Sequence, residues 1–166
     1  LTKFYSQDTT EDVKLEDEAG NVTTINVKVQ IKRISDVLTS NTLKISETDL
    51  NIKKVYPKTT VLNFKKSINS EMEYTILNKS GTELSDSSYI GTGCQVKMKN
   101  DKVYTVIVWG DLTGNGKISL TELARISKIF AEQSTSTDLE KSAIDINMNG
   151  KLDLVELAAI ARLQLK

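Results

Sequence analysis

The chain has 166 residues, with 22 Lys and Arg against 22 Asp and Glu, so its formal net charge is zero. That length suits one ordinary domain or two small ones, and the neutral balance gives no electrostatic reason to expect nucleic acid or an anionic membrane as partner. There is no histidine and a single cysteine, Cys94, which excludes a Ser-His-Asp triad, a Cys-His dyad, a His-ligated zinc site and an internal disulfide. No apolar run approaches the roughly 20 residues needed to span a bilayer. The remaining repertoire is hard oxygen: Asp, Glu, Asn, Ser, Thr and backbone carbonyls, the ligands of calcium.

The chain begins with Leu1 and shows no signal peptide, so it reads as a piece cut from a longer protein. Residues 1–34 read as a β-hairpin. "VKLED" and "VTTINVKVQIKRI" flank a tight turn at Gly20 and Asn21, and Val27, Val29 and Ile31 alternate onto one face. "SDVLTSNT" has the composition of a linker.

Residues 35–109 read as a small β-rich module with one helix. "LKISETDLNIKKVYP" predicts one or two short strands. After Pro57, "KTTVLNFKKSIN" predicts a short helix capped by Thr59 or Thr60, with Val61, Leu62, Phe64 and Ile68 as its apolar side. "MEYTILNKSG" is a strand entering a glycine turn. "CQVKMKNDKVYTVIVWG" is a hairpin turning at Asn100-Asp101, with Cys94 a small buried hydrophobe. One helix on a small, mostly antiparallel sheet is the natural assembly. Nothing in this half carries a catalytic pattern. Its aromatics, Phe4, Tyr5, Tyr56, Phe64, Tyr74, Tyr89, Tyr104 and Trp109, are scattered rather than grouped as a carbohydrate platform. A structural or spacer role is expected.

Near residue 109 the composition shifts from Val, Ile and Thr to Leu, Ala and Glu at helical spacing. Two dodecapeptides follow, "DLTGNGKISLTE" and "DINMNGKLDLVE", 34 residues apart. Calcium takes about six to eight oxygens, and a twelve-residue loop supplies them from positions 1, 3, 5, 7, 9 and 12 around an obligatory glycine at 6. The first loop offers Asp111, Thr113, Asn115, the carbonyl of Lys117, Ser119 and Glu122. The second offers Asp145, Asn147, Asn149, the carbonyl of Lys151, Asp153 and Glu156. The second fits the EF-hand loop signature throughout, and the first departs only at Thr113. Identity continues past the ligands, Leu120 matching Leu154 and Ile126 matching Ile160, so the segment is an internal duplication. Two calcium ions are expected. The second loop, with three carboxylates against two, is expected to fill first. The bland alternative is a pair of Asn/Asp/Gly turns capping helices without metal.

A full EF-hand is helix, loop, helix. Here "KVYTVIVWG" enters the first loop as a strand, and only the exiting helices, "SLTELARISKIFAEQ" and "DLVELAAIARLQLK", are present. "STDLEKSAI" predicts a short intervening helix capped at Ser136 or Thr137. Each loop with its one helix is half an EF-hand.

On these residues the C-terminal segment resembles a dockerin module. "GDLTGNGKISLTELARISKI" and "IDINMNGKLDLVELAAIARL" match the family's Gly-Asp-x-Asn-x-Asp-Gly-Lys pattern followed by a helix. The region before it resembles the small β-rich module often fused ahead of dockerins in clostridia and related Gram-positive bacteria. Residues 1–34 resemble the end of an Ig-like module. The resemblance implies an α+β two-module chain, in which β-rich modules with one short helix (1–34 and 35–109) are followed by an all-α dockerin (110–166).

It implies a non-catalytic function. A calcium-folded dockerin binds a cohesin module of a scaffoldin, or of another secreted enzyme. It thereby recruits its parent carbohydrate-active enzyme into a cellulosome-like complex. The implied setting is extracellular, at a bacterial cell surface reached through the partner, with the free chain a monomer. The implied partner-binding positions are Leu120, Thr121, Ser127 and Lys128, with Leu154, Val155, Ala161 and Arg162 in the second repeat. Trp109, at the strand-to-loop junction, is expected to brace the two modules against the first loop's helix. The alternatives are a calcium sensor or a structural spacer of a cell-surface protein. A sensor would open a Met-rich groove, and these helices carry no methionine.

Overall fold

The computed structural model describes residues 8–30 and 34–165. The chain divides into two compact units, Leu1–Ile34 and Ser35–Lys166.

In the first unit β1 (Thr9–Glu16) pairs antiparallel with β2 (Val22–Val29), from Thr9 opposite Val29 to Glu16 opposite Val22. The turn is built by Asp17, whose carboxylate accepts from the N–H groups of Ala19 and Asn21, both at 2.9 Å. Alternation gathers Val13, Leu15, Ile25 and Val27 on one face, all exposed. Ile31, Phe4 and Tyr5 lie outside the described residues.

The second unit is built on a five-stranded sheet. Its strands are β3 (Lys44–Ser46), β4 (Asn51–Val55), β5 (Tyr74–Leu77), β6 (Gln95–Met98) and β7 (Val103–Val108), in the order β3-β4-β7-β6-β5. Only the β4–β7 pairing is parallel. The segment between β4 and β5 contains α1 (Val61–Ser67), capped by Thr60, whose hydroxyl accepts from Asn63 N–H. Val61, Phe64 and Ile68 are buried, whereas Leu62 is exposed. The "SDVLTSNT" stretch is no free linker. Leu38 is buried in the sheet core, and Thr39 exchanges both backbone hydrogen bonds with Asn69. Cys94 sits just before β6, buried as expected, and burial pushes its thiol pKa up.

Beyond β7 come α2 (Leu120–Phe130), α3 (Asp138–Ile144) and α4 (Leu154–Gln164). They do not form an all-α module set apart from the sheet, and the two-module α+β architecture expected for the chain is overturned. Residues 35–166 are one mixed α/β body. The reason lies in β7. Tyr104, Val106 and Val108 face the core shared with α1. Ile107 points the other way, into a second core with Leu112, Ile118, Ile126, Ala143, Ile144 and Ile160 from the C-terminal helices and loops. A central strand buried on both faces needs cover on both, and the unbroken apolar run Val106–Trp109 is the mark of such a strand. Gly110 N–H donates to Ala143 O at 2.8 Å, tying the strand's exit to α3. At φ +73 it lies so close to Ile160 and Ile118 that a Cβ would come within 2.7 Å and 2.9 Å of their side chains.

Candidate metal centre

The two dodecapeptides form two loops of the same local design. Asp111 lies three residues past the end of β7, after Trp109 and Gly110, and Asp145 is the C-cap of α3. In both loops positions 4 and 6 are left-handed: Gly114 and Gly116 at φ +81 and +76, Met148 and Gly150 at φ +58 and +75. The position-5 amide oxygens, Asn115 Oδ1 and Asn149 Oδ1, accept from the N–H of Lys117 and Lys151 at 2.8 and 2.7 Å. Ile118 is buried and Leu152 half-buried against the helical core. The last four residues of each loop double as a helix start, with Ser119 and Asp153 as N-caps and Glu122 and Glu156 closing capping boxes. Capping therefore accounts for part of the repeated Glu at position 12, a constraint the loop spacing alone did not reveal.

It does not account for all of it. A third capping box at α3, Thr137 with Glu140, serves as an internal comparison. There Glu140 Oε2 accepts from Thr137 N–H at 2.8 Å, and Oε1 accepts from Arg125 Nε at 2.6 Å. In the second loop Glu156 Oε2 accepts from Asp153 N–H at 3.0 Å, yet Oε1 is buried with no hydrogen-bond partner. Glu156 is 1% exposed. A buried carboxylate oxygen left bare is costly, and a bidentate position-12 Glu needs open lone pairs on its oxygens to bind calcium. Asp145 keeps acceptor capacity too, taking only Asn149 N–H at 3.0 Å on Oδ1 and Gly150 N–H at 2.9 Å on Oδ2. The second loop thus fits a hard cation, held by Asp145, Asn147, Asn149, the Lys151 carbonyl and Glu156. Asp153 also caps α4, its Oδ1 accepting from Val155 N–H at 2.8 Å. Among the described residues no three Asp, Glu or Cys side chains form a cage, so most ligands would be neutral oxygens. Clefts of about 280 and 260 Å³ beside Asp145 and Gly150 both carry Lys53, the larger also Lys141 and the smaller Lys44, side chains that oppose a cation.

The first loop is engaged differently. Asp111 is fully buried, and Glu122 nearly so. Asp111 Oδ1 accepts from Gly114 and Asn115 N–H at 2.8 and 3.1 Å, while Oδ2 accepts from Gly116 N–H at 2.9 Å and Thr92 N–H at 2.8 Å. Thr92 belongs to the sheet side. Its hydroxyl donates to Val108 O and accepts from Val108 N–H at the end of β7. Glu122 Oε1 accepts from the Thr113 hydroxyl at 2.6 Å, and Oε2 from Ser119 N–H and the Ser119 hydroxyl. Burial pushes the Glu122 carboxyl pKa up, but these Ser119 and Thr113 bonds outweigh it and hold it below the usual value. Lys79 Nζ donates to Thr113 O at 2.9 Å, Lys58 N–H donates to Gly116 O at 2.7 Å, and Lys117 Nζ lies 5.0 Å from the Tyr89 ring centroid. Thr92, Lys79 and Gly91 carry no motif. Only the glycine-rich "GTG" at 91–93 hints at a close backbone approach.

The expected partner-binding residues lie mainly on the surface. Leu120, Leu154 and Val155 are 74%, 72% and 66% exposed, so they are not core residues. Thr121, Ser127, Lys128 and Arg162 are exposed, and Ala161 is half-buried. Trp109 is 7% exposed and meets the Tyr56 ring edge-on, with centroids 5.0 Å apart. The contact seen at Trp109 is thus to the residue after β4. The chain matches no family model, no curated protein and no solved structure.

Proposed function

We propose that the chain is a non-catalytic assembly module, working as dockerins do. Calcium, bound by loop oxygens, completes the order of the helical half. The start of α2 and α4 presents a docking face to a cohesin module of a scaffoldin or of another secreted enzyme. The parent protein is then an extracellular carbohydrate-active enzyme recruited to a complex at a bacterial surface. The observation that carries this reading is the matched pair Leu120 and Leu154. Each stands one residue after a loop's N-cap, and both remain exposed together with Val155. A single exposed leucine is ordinary, but the same exposed leucine at the same place in both repeats offers each repeat an apolar anchor for a partner. A calcium ion would add charge neutralisation, and its binding free energy becomes folding free energy.

The test mixes the full chain with recombinant cohesin modules of bacterial scaffoldins, in calcium and in chelator, followed by calorimetry. A complex is expected in calcium only, weakened about tenfold or more by Leu154→Asp. No complex with any cohesin, or one indifferent to both Leu120→Asp and Leu154→Asp, would overturn the reading.

A further inference from the structure

We infer that only the second loop takes up calcium, and that the first is a metal-free joint fastening the helices to the sheet. The inference rests on reading the dodecapeptides as calcium loops, and it concerns which of them the chain's own donors leave open.

An ionised carboxylate offers about four lone-pair sites. Asp111 has all four filled by backbone N–H groups, from Gly114, Asn115, Gly116 and Thr92. Asp145, its counterpart, has two filled, by Asn149 and Gly150. The Thr92 donor comes from outside the repeat, from a residue itself locked to Val108 by two hydrogen bonds. At position 12 the same contrast recurs. The Thr113 hydroxyl donates to Glu122 Oε1, whereas Glu156 Oε1 is bare and buried. Asn147, at Thr113's place, uses its amide oxygen to accept from Asn149 N–H and puts no proton on Glu156. A hydroxyl proton and a fourth N–H thus stand where a cation would need lone pairs. Lysine charge does not separate the loops, since Lys79 binds Thr113 O in the first and Lys53 lies beside Asp145 in the second; the filled and bare lone pairs do.

The first loop has instead the features of a joint. Lys58 N–H holds the Gly116 carbonyl. Gly91 lies so near Gly114 that a Cβ on it would collide with Gly114 O, and a Cβ on Gly116 would collide with Ile90 O. Two stretches of backbone touch there without side chains between them. Nothing of this kind surrounds Gly150, where a Cβ would meet nothing within 4 Å.

The experiment is native mass spectrometry and calorimetry of the full chain, stripped with chelator and titrated with calcium alone. Hydrogen exchange of the loop amides is followed in parallel. One ion per chain is expected, lost in Asp145→Asn. The amides of Thr92, Gly114 and Gly116 should stay protected in chelator, while those of Asn149 and Gly150 gain protection only with calcium. Two ions per chain would overturn this inference and leave the calcium-loop reading standing. One ion that survives Asp145→Asn but is lost in Glu122→Gln would do the same. No ion bound would overturn both.

Discussion

Gly116 and Gly150 share a left-handed backbone but not their surroundings, and the difference is measurable. Any L-residue at φ near +75 costs about 1–2 kcal/mol. Gly150→Ala should lose about that much, because open space surrounds the new methyl. Gly116→Ala should lose about 3 kcal/mol or more, because the methyl also strikes Ile90 O. Urea unfolding of both variants in chelator measures the gap, and equal losses would mean that the sheet side does not confine the first loop. At this scale the sequence was highly legible. Position 6 must be glycine, and Asn115 and Asn149 take the same loop bond. The fate of Thr113 was not legible, because a hydroxyl can accept from a donor or donate to a carboxylate, and only its position beside Glu122 decides.

Among the elements, α2 and α3 are joined by Arg125 and Glu140, Nε to Oε1 at 2.6 Å. The Arg125 hydrogen bond is the largest influence on Glu140, whose carboxyl is held at about 2 against an ordinary 4.5. A depressed carboxylate contributes stability that is fully present above the unfolded value and is lost as pH falls through the folded one. The wild type should therefore exceed Glu140→Gln in stability above about pH 4.5, with the advantage fading toward about pH 2. Thermal melts of both across that range check it, and a constant difference would assign Glu140 a packing role instead. Two caps were readable in the chain, since Thr60 and Thr137 each stand in an expected pair and begin helices, whereas Ser119 and Asp153 read as loop ligands and prove to be caps as well. The long-range Arg125–Glu140 pair was not, because the two residues stand 15 apart on different helices.

For the molecule as a whole, the sheet and the C-terminal helices depend on each other. Ile107→Ala should cost about 2–4 kcal/mol, since it empties a position shared by β7 and the helical core. A fragment of residues 110–166 loses Ile107 and also the Thr92 donor to Asp111. Even in saturating calcium it should fall short of the helix content those residues have in the full chain. Far-UV circular dichroism compares the fragment with the full chain and with residues 1–109. A fragment that reaches full helicity would show that its core stands without the sheet.

The sequence by itself determined the local structure: a hairpin turn at Gly20 and Asn21, the strands, the helices, and two repeated oxygen-rich loops. These follow from periods, caps and turn residues acting within a few positions of one another. Tertiary structure alone decided that residues 35–166 are one body, and that two near-identical loops differ. A composition change at residue 109 marks where strand gives way to helix, and it does not say whether the helices return to the strand's free face. Ile107 does bring them back. Once they return, Thr92 meets Asp111 in the first loop, while the second keeps a bare oxygen on Glu156. Similar local patterns acquire different valences because Thr92, from a distant part of the chain, fills Asp111, and Thr113, within the loop, fills Glu122.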